Sequence, residues 1–403
     1  MPTYEYKAMS QTGEKLKGVY TSNTIEEVFH MLRKNNHYPI HVEEKFEVKR
    51  AISFSFWNRI KIKDIAIFCR QFYTMLHAGI SILNCLDTLR QQTQNKKFKI
   101  VIGQIYEEVQ KGLTLSESLK NHKDIFPDLL IHMVETGEFS GTLDVIIARM
   151  ANHYAKENKI SNKVKGAMIY PIVLSIVAIT VVVFLLIFVI PTFIGLFKES
   201  NTALPIPTQI LLSITDIIKN YLHIIFLIFV LLIYGLKKSI SMKKGQLFID
   251  QLKLKIPIVK GTTQKIITSR FSRTLSTLLA SGIPLLQALD IISEIVGNTV
   301  VQKEILIAKE DIKKGINLSS MIEKISVFPP MLHAMIRIGE ESGSLDDILD
   351  ETANFYDEEV EVALQKITTL IEPLMIVVMA VIVGSIIIAM LLPMIDMVNT
   401  ISV

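Results

Sequence analysis

Two runs of the chain, Gly166 to Phe197 and Pro373 to Ile395, contain no charged side chain. About 20 apolar residues suffice for a helix to cross the hydrocarbon core of a bilayer, so each run predicts a membrane span. A third run, 220–236, is shorter and closes on lysines; with help from the stretch upstream its span is placed at 215–236. Ahead of the first and last runs the pattern becomes that of an amphipathic helix. Ile65, Phe68, Phe72, Met75 and Leu76 share one helix face, which Gly79 ends. Ser81 is placed to cap the next helix, with Leu83 and Leu86 inward. Helices over 97–111, 114–121 and 127–136 follow, broken at Gly112 and Pro127, and a last helix from Leu143 runs toward the first apolar run. The opening 45 residues alternate instead. Thr3–Met9 and Lys15–Tyr20 predict a hairpin turning at Gly13, then comes a helix over Ile25–Asn35 capped by Thr24 with Glu27 three residues on, and a strand over His37–Val42.

The helical pattern occurs twice. Phe68–Asp87 reads FCRQFYTMLHAGISILNCLD and Phe271–Asp290 reads FSRTLSTLLASGIPLLQALD, an offset of 203. Phe126-Pro127 and GEFSGTLD at 137–144 are answered at an offset of 202 by Phe328-Pro329 and GEESGSLD at 339–346. Pro171 and Pro191 are matched in the same way by Pro373 and Pro393. The chain is therefore a tandem of two copies, each a polar helical unit running into an apolar segment. The expected fold class is an all-α polytopic membrane protein with two homologous cytoplasmic six-helix bundles, three transmembrane helices and a small N-terminal α+β module. The boundaries follow: module 1–45, basic linker 46–63, first bundle 64–166, span 167–197, extracytoplasmic loop 198–214, span 215–236, cytoplasmic linker 237–266, second bundle 267–369, span 370–395 and tail 396–403.

Charge orients this arrangement. Lys163 and Lys165 precede the first span, Lys237, Lys238, Lys243 and Lys244 follow the second, and Lys366 precedes the third. Positive charge marks the cytoplasmic side, which places the amino terminus and both bundles in the cytoplasm and the carboxy terminus outside. The first 30 residues have no hydrophobic stretch of signal-peptide type, so no signal peptide is expected. A net charge of +4 with no cluster of basic and aromatic residues argues against nucleic acid. Cys69 and Cys85 lack metal or redox spacing and read as reduced packing residues. The segment 44–63 is basic, irregular and carries the only tryptophan, Trp57; it reads as a tether, with contact to a lipid surface as the alternative.

The two boxes are the most specific motif. Gly137, Glu138, Ser140, Gly141 and Asp144, with Gly339, Glu340, Ser342, Gly343 and Asp346, have the composition of a sharp turn between helices. Ser140 or Ser342 can cap the following helix, and Asp144 or Asp346 can complement the positive end of its dipole. Two readings stand side by side: a helix-connecting turn whose Glu pairs locally, and a docking surface for a partner protein. Arg70 with Asp87 and Arg273 with Asp290 are matched between copies and suggest an ion pair joining the first two helices of each unit. The second copy is acidic after its box, from Asp346 through Asp350, Asp357 and Glu359 to Glu361, which fits a solvated face or a basic partner better than a metal site. Pro171, Pro191, Pro373 and Pro393 bracket the long spans as helix-end or hinge candidates. No catalytic constellation and no phosphate-binding loop G-x-x-x-x-G-K-[ST] is present, so no cofactor, no metal and no enzymatic activity are expected. Spans without a charged centre also disfavour the alternative of a transporter or channel subunit.

The paired boxes, the Phe-x-Arg segments, the spans and the β-containing head together resemble the type II secretion F family, over residues 3–395. That family comprises platform proteins of type II secretion, type IV pilus assembly and competence pseudopili. The resemblance implies an inner-membrane protein that binds a hexameric assembly ATPase, passes its motion to pilin or pseudopilin subunits, and meets other inner-membrane assembly proteins, membrane lipid and further copies of itself. It also implies that Gly137, Glu138, Gly141, Gly339, Glu340 and Gly343 belong to the family's boxes. Replacing Glu340 with Ala is expected to weaken ATPase binding more than folding. Some relatives bind calcium on the first bundle, but Glu135, Glu138, Asp144 and Glu157 are too sparse here to carry that over.

Overall fold

The computed structural model describes residues 3–10, 15–22, 25–34, 37–44, 60–192 and 205–401. The chain forms two compact units, 1–59 and 60–403. The expected cap at Thr24, the turn at Gly13 and the Trp57 segment lie outside the described residues.

The N-terminal unit is a three-stranded antiparallel sheet in the order β2-β1-β3 with one helix. Its strands are β1 (Thr3–Ser10), β2 (Lys15–Thr21) and β3 (His37–Glu44), and α1 covers Ile25–Lys34. β1 pairs with β2 from Thr3↔Thr21 to Met9↔Lys15, and its pairing with β3 shifts register between Lys7 and Ala8. Ala8 from the sheet and Val28 and Leu32 from the helix form its buried core.

The second unit holds the two copies, six helices each. In the first these are α2 (Ile62–His77), α3 (Ile82–Gln92), α4 (Lys96–Gln110), α5 (Leu115–Lys120), α6 (Asp128–Ser140) and α7 (Leu143–Phe184). Among the described residues two helices then intervene: α8 (Ile206–Ser241) and α9 (Lys243–Lys255). The second copy comprises α10 (Pro257–Ala280), α11 (Leu285–Ile295), α12 (Thr299–Ile312), α13 (Leu318–Lys324), α14 (Pro330–Ser342) and α15 (Leu345–Ile401). Caps recur with the repeat. Asn95 accepts from the amides of Lys97 and Phe98 ahead of α4, and Asn298 does the same for Val300 and Val301 ahead of α12. Ser81 caps α3 as expected, accepting from Asn84.

The repeated phenylalanines are buried because they build the cores. Phe68 lies 5.6 Å from Phe126 and 5.7 Å from Phe98, ring centre to ring centre. Phe271 stands 4.8 Å from Phe328 at the matching place. One apolar cluster runs through both copies, so the two bundles share a single core. Burying each such ring contributes about 2–3 kcal/mol.

Among the described residues, two helices are long and apolar enough to cross a membrane, Leu143–Thr192 and Leu345–Pro393. Several expected boundaries change. The loop placed at 198–214 is helical from Ile206 onward, because Leu211, Leu212 and Ile218 pack against Leu186, Ile190 and Ile386 where the two long helices end. The Thr208 hydroxyl there donates to the Ala389 carbonyl. Tyr221 leaves helical geometry, with φ −117° and ψ 15°, and kinks α8 ahead of its apolar stretch. The cytoplasmic linker placed at 237–266 is also helix: α9 turns off after α8, and α10 starts at Pro257, ten residues before the expected bundle boundary of 267. Proline suits that first helical position, since the amide it lacks has no partner there. At the other linker, Ile62 and Lys63 already belong to α2, and the tail expected at 396–403 stays helical to Ile401.

Candidate functional site

Each box is the last turn of a helix rather than a free turn. Gly137–Ser140 complete α6 and Gly339–Ser342 complete α14. The chain leaves the helix at the closing glycines, Gly141 at φ 72° and Gly343 at φ 70°, where an L side chain is strained. Their amides return to the carbonyls of Gly137 and Gly339. The opening glycines serve a different purpose. A Cβ on Gly339 stands 2.9 Å from Leu345 Cα, and one on Gly137 stands 3.1 Å from Leu143 Cα, so each glycine lets the next long helix cross at close range.

The box glutamates reach backward along the chain. Glu138 accepts from the amides of Leu115 (2.6 Å) and Ser116 (3.0 Å), at the start of α5. Glu340 accepts from Leu318 (2.7 Å), Ser319 (3.1 Å) and the Ser319 hydroxyl (2.5 Å), at the start of α13. The first amides of a helix have no partner within it, and a carboxylate offers them charge-assisted bonds at the positive end of the dipole. The local pairing of the Glu thus takes the form of a remote cap, 22 residues away in sequence. Ser140 and Ser342 do not cap the following helix, contrary to expectation. Ser140 donates to the Thr136 carbonyl and Ser342 to that of Gly339, because both still sit on the preceding helix. Asp144 and Asp346 do lie in the first turns of α7 and α15. Beside Glu138, Phe139 is 96% exposed, and Glu341 takes its place in the second copy.

The expected Arg–Asp pairs are not formed. Asp87 binds Arg90 and Gln91 on its own helix, and Asp290 binds Lys309 of α12. The pairing is local in the first copy because Arg90 lies one turn along. Arg273 is instead buried, 3% exposed, and reaches Asp350 (3.4 Å) and Asp357 on α15. Its sequence counterpart Arg70 is exposed.

The acidic stretch of the second copy finds basic partners within the chain. Lys265 binds Glu359 at 2.6 Å between α10 and α15. Other pairs join the two copies. Lys156 of α7 meets Asn354 (2.8 Å) and Asp350 (3.5 Å), Lys163 binds Glu361, and Arg270 binds Glu157 at 2.5 Å. Arg149 donates to Ser281 at 3.0 Å. The Lys163 ammonium holds the Glu361 carboxyl below its ordinary range. A polar cleft of about 420 Å³ opens along this seam, lined by Arg149, His153, Lys156, Arg273, Asp346 and Asp350. His153 is buried there with Nδ1 unpartnered. Burial pushes it down to about 4, Arg273, Arg270 and Lys156 push the same way, and Glu157 opposes them. No cluster of metal-ligating side chains occurs among the described residues. The buried Cys69 and Cys85 are free thiols, each pushed up by desolvation.

The bracket prolines lie inside helices. Pro171 is buried within α7, and Pro373 and Pro393 lie within α15. Ahead of Pro191 the helix widens into one π turn, Leu185–Val189, which eases the clash of a proline ring with the preceding turn. At the matching place α15 carries Pro393 without such a turn, so the proline alone does not dictate it.

Comparison with known proteins agrees with this division. The family profile described as "Type II secretion system (T2SS), protein F" matches residues 68–191 and again 271–393. The profile "Type II secretion system protein F, N-terminal domain" matches residues 1–43. The chain is 36% identical to "Type IV pilus assembly protein PilC" of Thermus thermophilus over 406 residues, covering 100% of both chains. It is 34% identical to the PilC protein of Myxococcus xanthus over 98% of this chain and 95% of that one. It is also 31% identical to "Type II secretion system protein F" of Vibrio cholerae, again over 100% of both.

Proposed function

The chain belongs to the type II secretion system protein F family, and from that premise we propose that it is the inner-membrane platform of a pilus, pseudopilus or type II secretion assembly. In this reading a cytoplasmic assembly ATPase docks on the helical bundles, and its motion is passed to pilin or pseudopilin subunits leaving the bilayer. The chain crosses the membrane three times, through α7, α8 and α15, with the amino terminus inside and the carboxy terminus outside.

The observation that carries the reading is the continuity of helix from each bundle into its apolar segment. Residues 143–192 make up one 50-residue rod, roughly 75 Å long at 1.5 Å per residue. Residues 345–401 make up another, of 57 residues. A rotation imposed on either bundle therefore reaches bilayer depth without crossing a loop. The exposed part of the first box, Phe139, Ser140, Gly141 and Asp144, is the docking candidate, with Ser342, Gly343 and Asp346 at the matching place. Glu138 and Glu340 hold helix ends, so replacing Glu340 disturbs folding as well as docking and cannot separate the two. An exposed aromatic is a better probe, since aromatic anchors often dominate protein interfaces.

Deleting the gene is expected to abolish surface pili or secreted substrate while ATPase and pilin levels persist; unchanged piliation, secretion and DNA uptake overturn the proposal. Replacing Phe139 with Ala is expected to lower ATPase co-purification at least tenfold with no change in thermal midpoint. Full retention of the ATPase on that variant removes the box surface from the docking site.

A further inference from the structure

Helix α9 has an unusual exterior. Phe248 is 67% exposed and Leu252, one turn on, 43%; Met242 before the helix and Ile256 at its end are exposed as well. The segment around these residues is rich in lysine. Between 237 and 260 the chain carries seven lysines, Lys237, Lys238, Lys243, Lys244, Lys253, Lys255 and Lys260, against one carboxylate, Asp250. That carboxylate is turned inward. Asp250 is 3% exposed and accepts from the Thr299 amide (3.0 Å) and hydroxyl (3.1 Å) at the start of α12, and from Lys253 (3.1 Å) one turn on. Leu254, one turn further, packs against the common core. These two contacts fix how α9 is rotated, so the outward setting of Phe248 and Leu252 belongs to the fold. The outer face then combines large apolar side chains with the exposed Lys255, in a segment of seven lysines and one carboxylate.

Position along the chain says what such a face meets. The apolar stretch of α8 closes at Leu236, and six residues of helix rise only about 9 Å. Met242 is therefore tied close to the level at which α8 leaves the bilayer. A basic helix with one exposed apolar face at that depth has the make-up of an interfacial helix. We propose that α9 lies on the cytoplasmic surface of the membrane, with Phe248 and Leu252 inserted at headgroup level and Lys255 with other lysines of the segment on anionic lipid headgroups. This rests on the reading of α8 as a membrane span. Through Asp250 and Leu254 the helix also holds the second bundle, so lipid contact fixes that bundle's height above the bilayer.

The test uses the full chain reconstituted in nanodiscs, with Trp57 replaced by Phe so that one introduced tryptophan reports at a time. Phe248→Trp is expected to be quenched by lipids brominated near the headgroup in phosphatidylglycerol discs, and at least threefold less in phosphatidylcholine discs. Lys255→Gln is expected to lower the bound-to-unbound ratio of the helix about fivefold in phosphatidylglycerol, since a lysine near an anionic surface contributes about 1 kcal/mol. Leu227→Trp, within α8, is the control for the span. If Leu227→Trp is quenched and Phe248→Trp is quenched by neither lipid, the span stands and the surface helix is overturned. If neither tryptophan is quenched, both readings fall. A Phe248→Trp that lipid leaves unquenched yet acrylamide cannot reach means that protein covers this face, which also overturns the proposal.

Discussion

At the scale of single residues, the two glycines of each box do opposite things. Gly339 is needed for space: Gly339→Ala sets a Cβ 2.9 Å from Leu345 Cα, an overpacking expected to cost about 1–3 kcal/mol. Gly343 is needed for backbone sign, and Gly343→Ala is expected to cost about 1–2 kcal/mol. Glu340→Gln keeps the shape of the cap but weakens its charge-assisted bonds, by about 1 kcal/mol. Thermal unfolding of the three variants checks the order, and an Ala at 339 without effect refutes the close crossing. His153 makes a pH prediction. Its native value is pushed down to about 4, while the unfolded chain titrates near 6.5. Between those values the unfolded state binds more protons, so stability is lost as pH falls from about 6.5 to about 4, by on the order of 3 kcal/mol. His153→Phe, the residue at the matching place in the second copy (Phe355), is expected to flatten that step. An unchanged difference in midpoint between pH 7 and pH 4.5 counts against it. The glycines and glutamates were legible in the sequence as a motif, but their roles were not. A close approach needs the position of a second helix, and the cap needs amides 22 residues away.

At the scale of elements, the two copies differ most where their last helices begin. From Leu143 to Lys165, α7 has five basic residues and two acidic ones, whereas Leu345–Lys366 of α15 has eight acidic residues and one lysine. Duplicated helices of equal charge repel when they pair; these have diverged to opposite sign and pair along their length. Asp350, Asp357, Glu359 and Glu361 of the acidic run are thus paired by the chain's own lysines and arginine. The reversal at Lys159 and Glu361, an offset of 202, was the readable signal for this contact. Lys163→Glu is expected to destabilise the seam by about 0.5–1 kcal/mol, and adding Glu361→Lys to restore most of it. A double-mutant cycle on thermal midpoints measures the coupling, and strict additivity refutes the pair.

At the scale of the whole molecule, the proposed function depends on rigidity between bundle and bilayer. Inserting two glycines between Asn162 and Lys163 interrupts α7 after its last contacts with the bundle core and before its apolar run. The variant is expected to bind ATPase as before and to lose pilus assembly or secretion. Normal assembly by that variant rules out transmission through α7. The second copy offers the same test in α15, between Leu364 and Gln365. Its bundle shares a core with the first, so loss of function from either insertion alone indicates that both rods are required.

The sequence by itself determined the duplication, several of the helix breaks and the apolar runs. Those depend on contacts within a few turns, such as the cap at Ser81, or on hydrophobicity alone. Only the tertiary structure decided which charges meet. Arg70 and Arg273 occupy one place in the repeat, yet one is exposed and the other buried against carboxylates 77 and 84 residues on. Lys156 and Asn354, 198 residues apart, become neighbours only when α7 and α15 cross. Periodicity assigns a side chain to a face of its own helix; the partner of that face is set by how the helices pack.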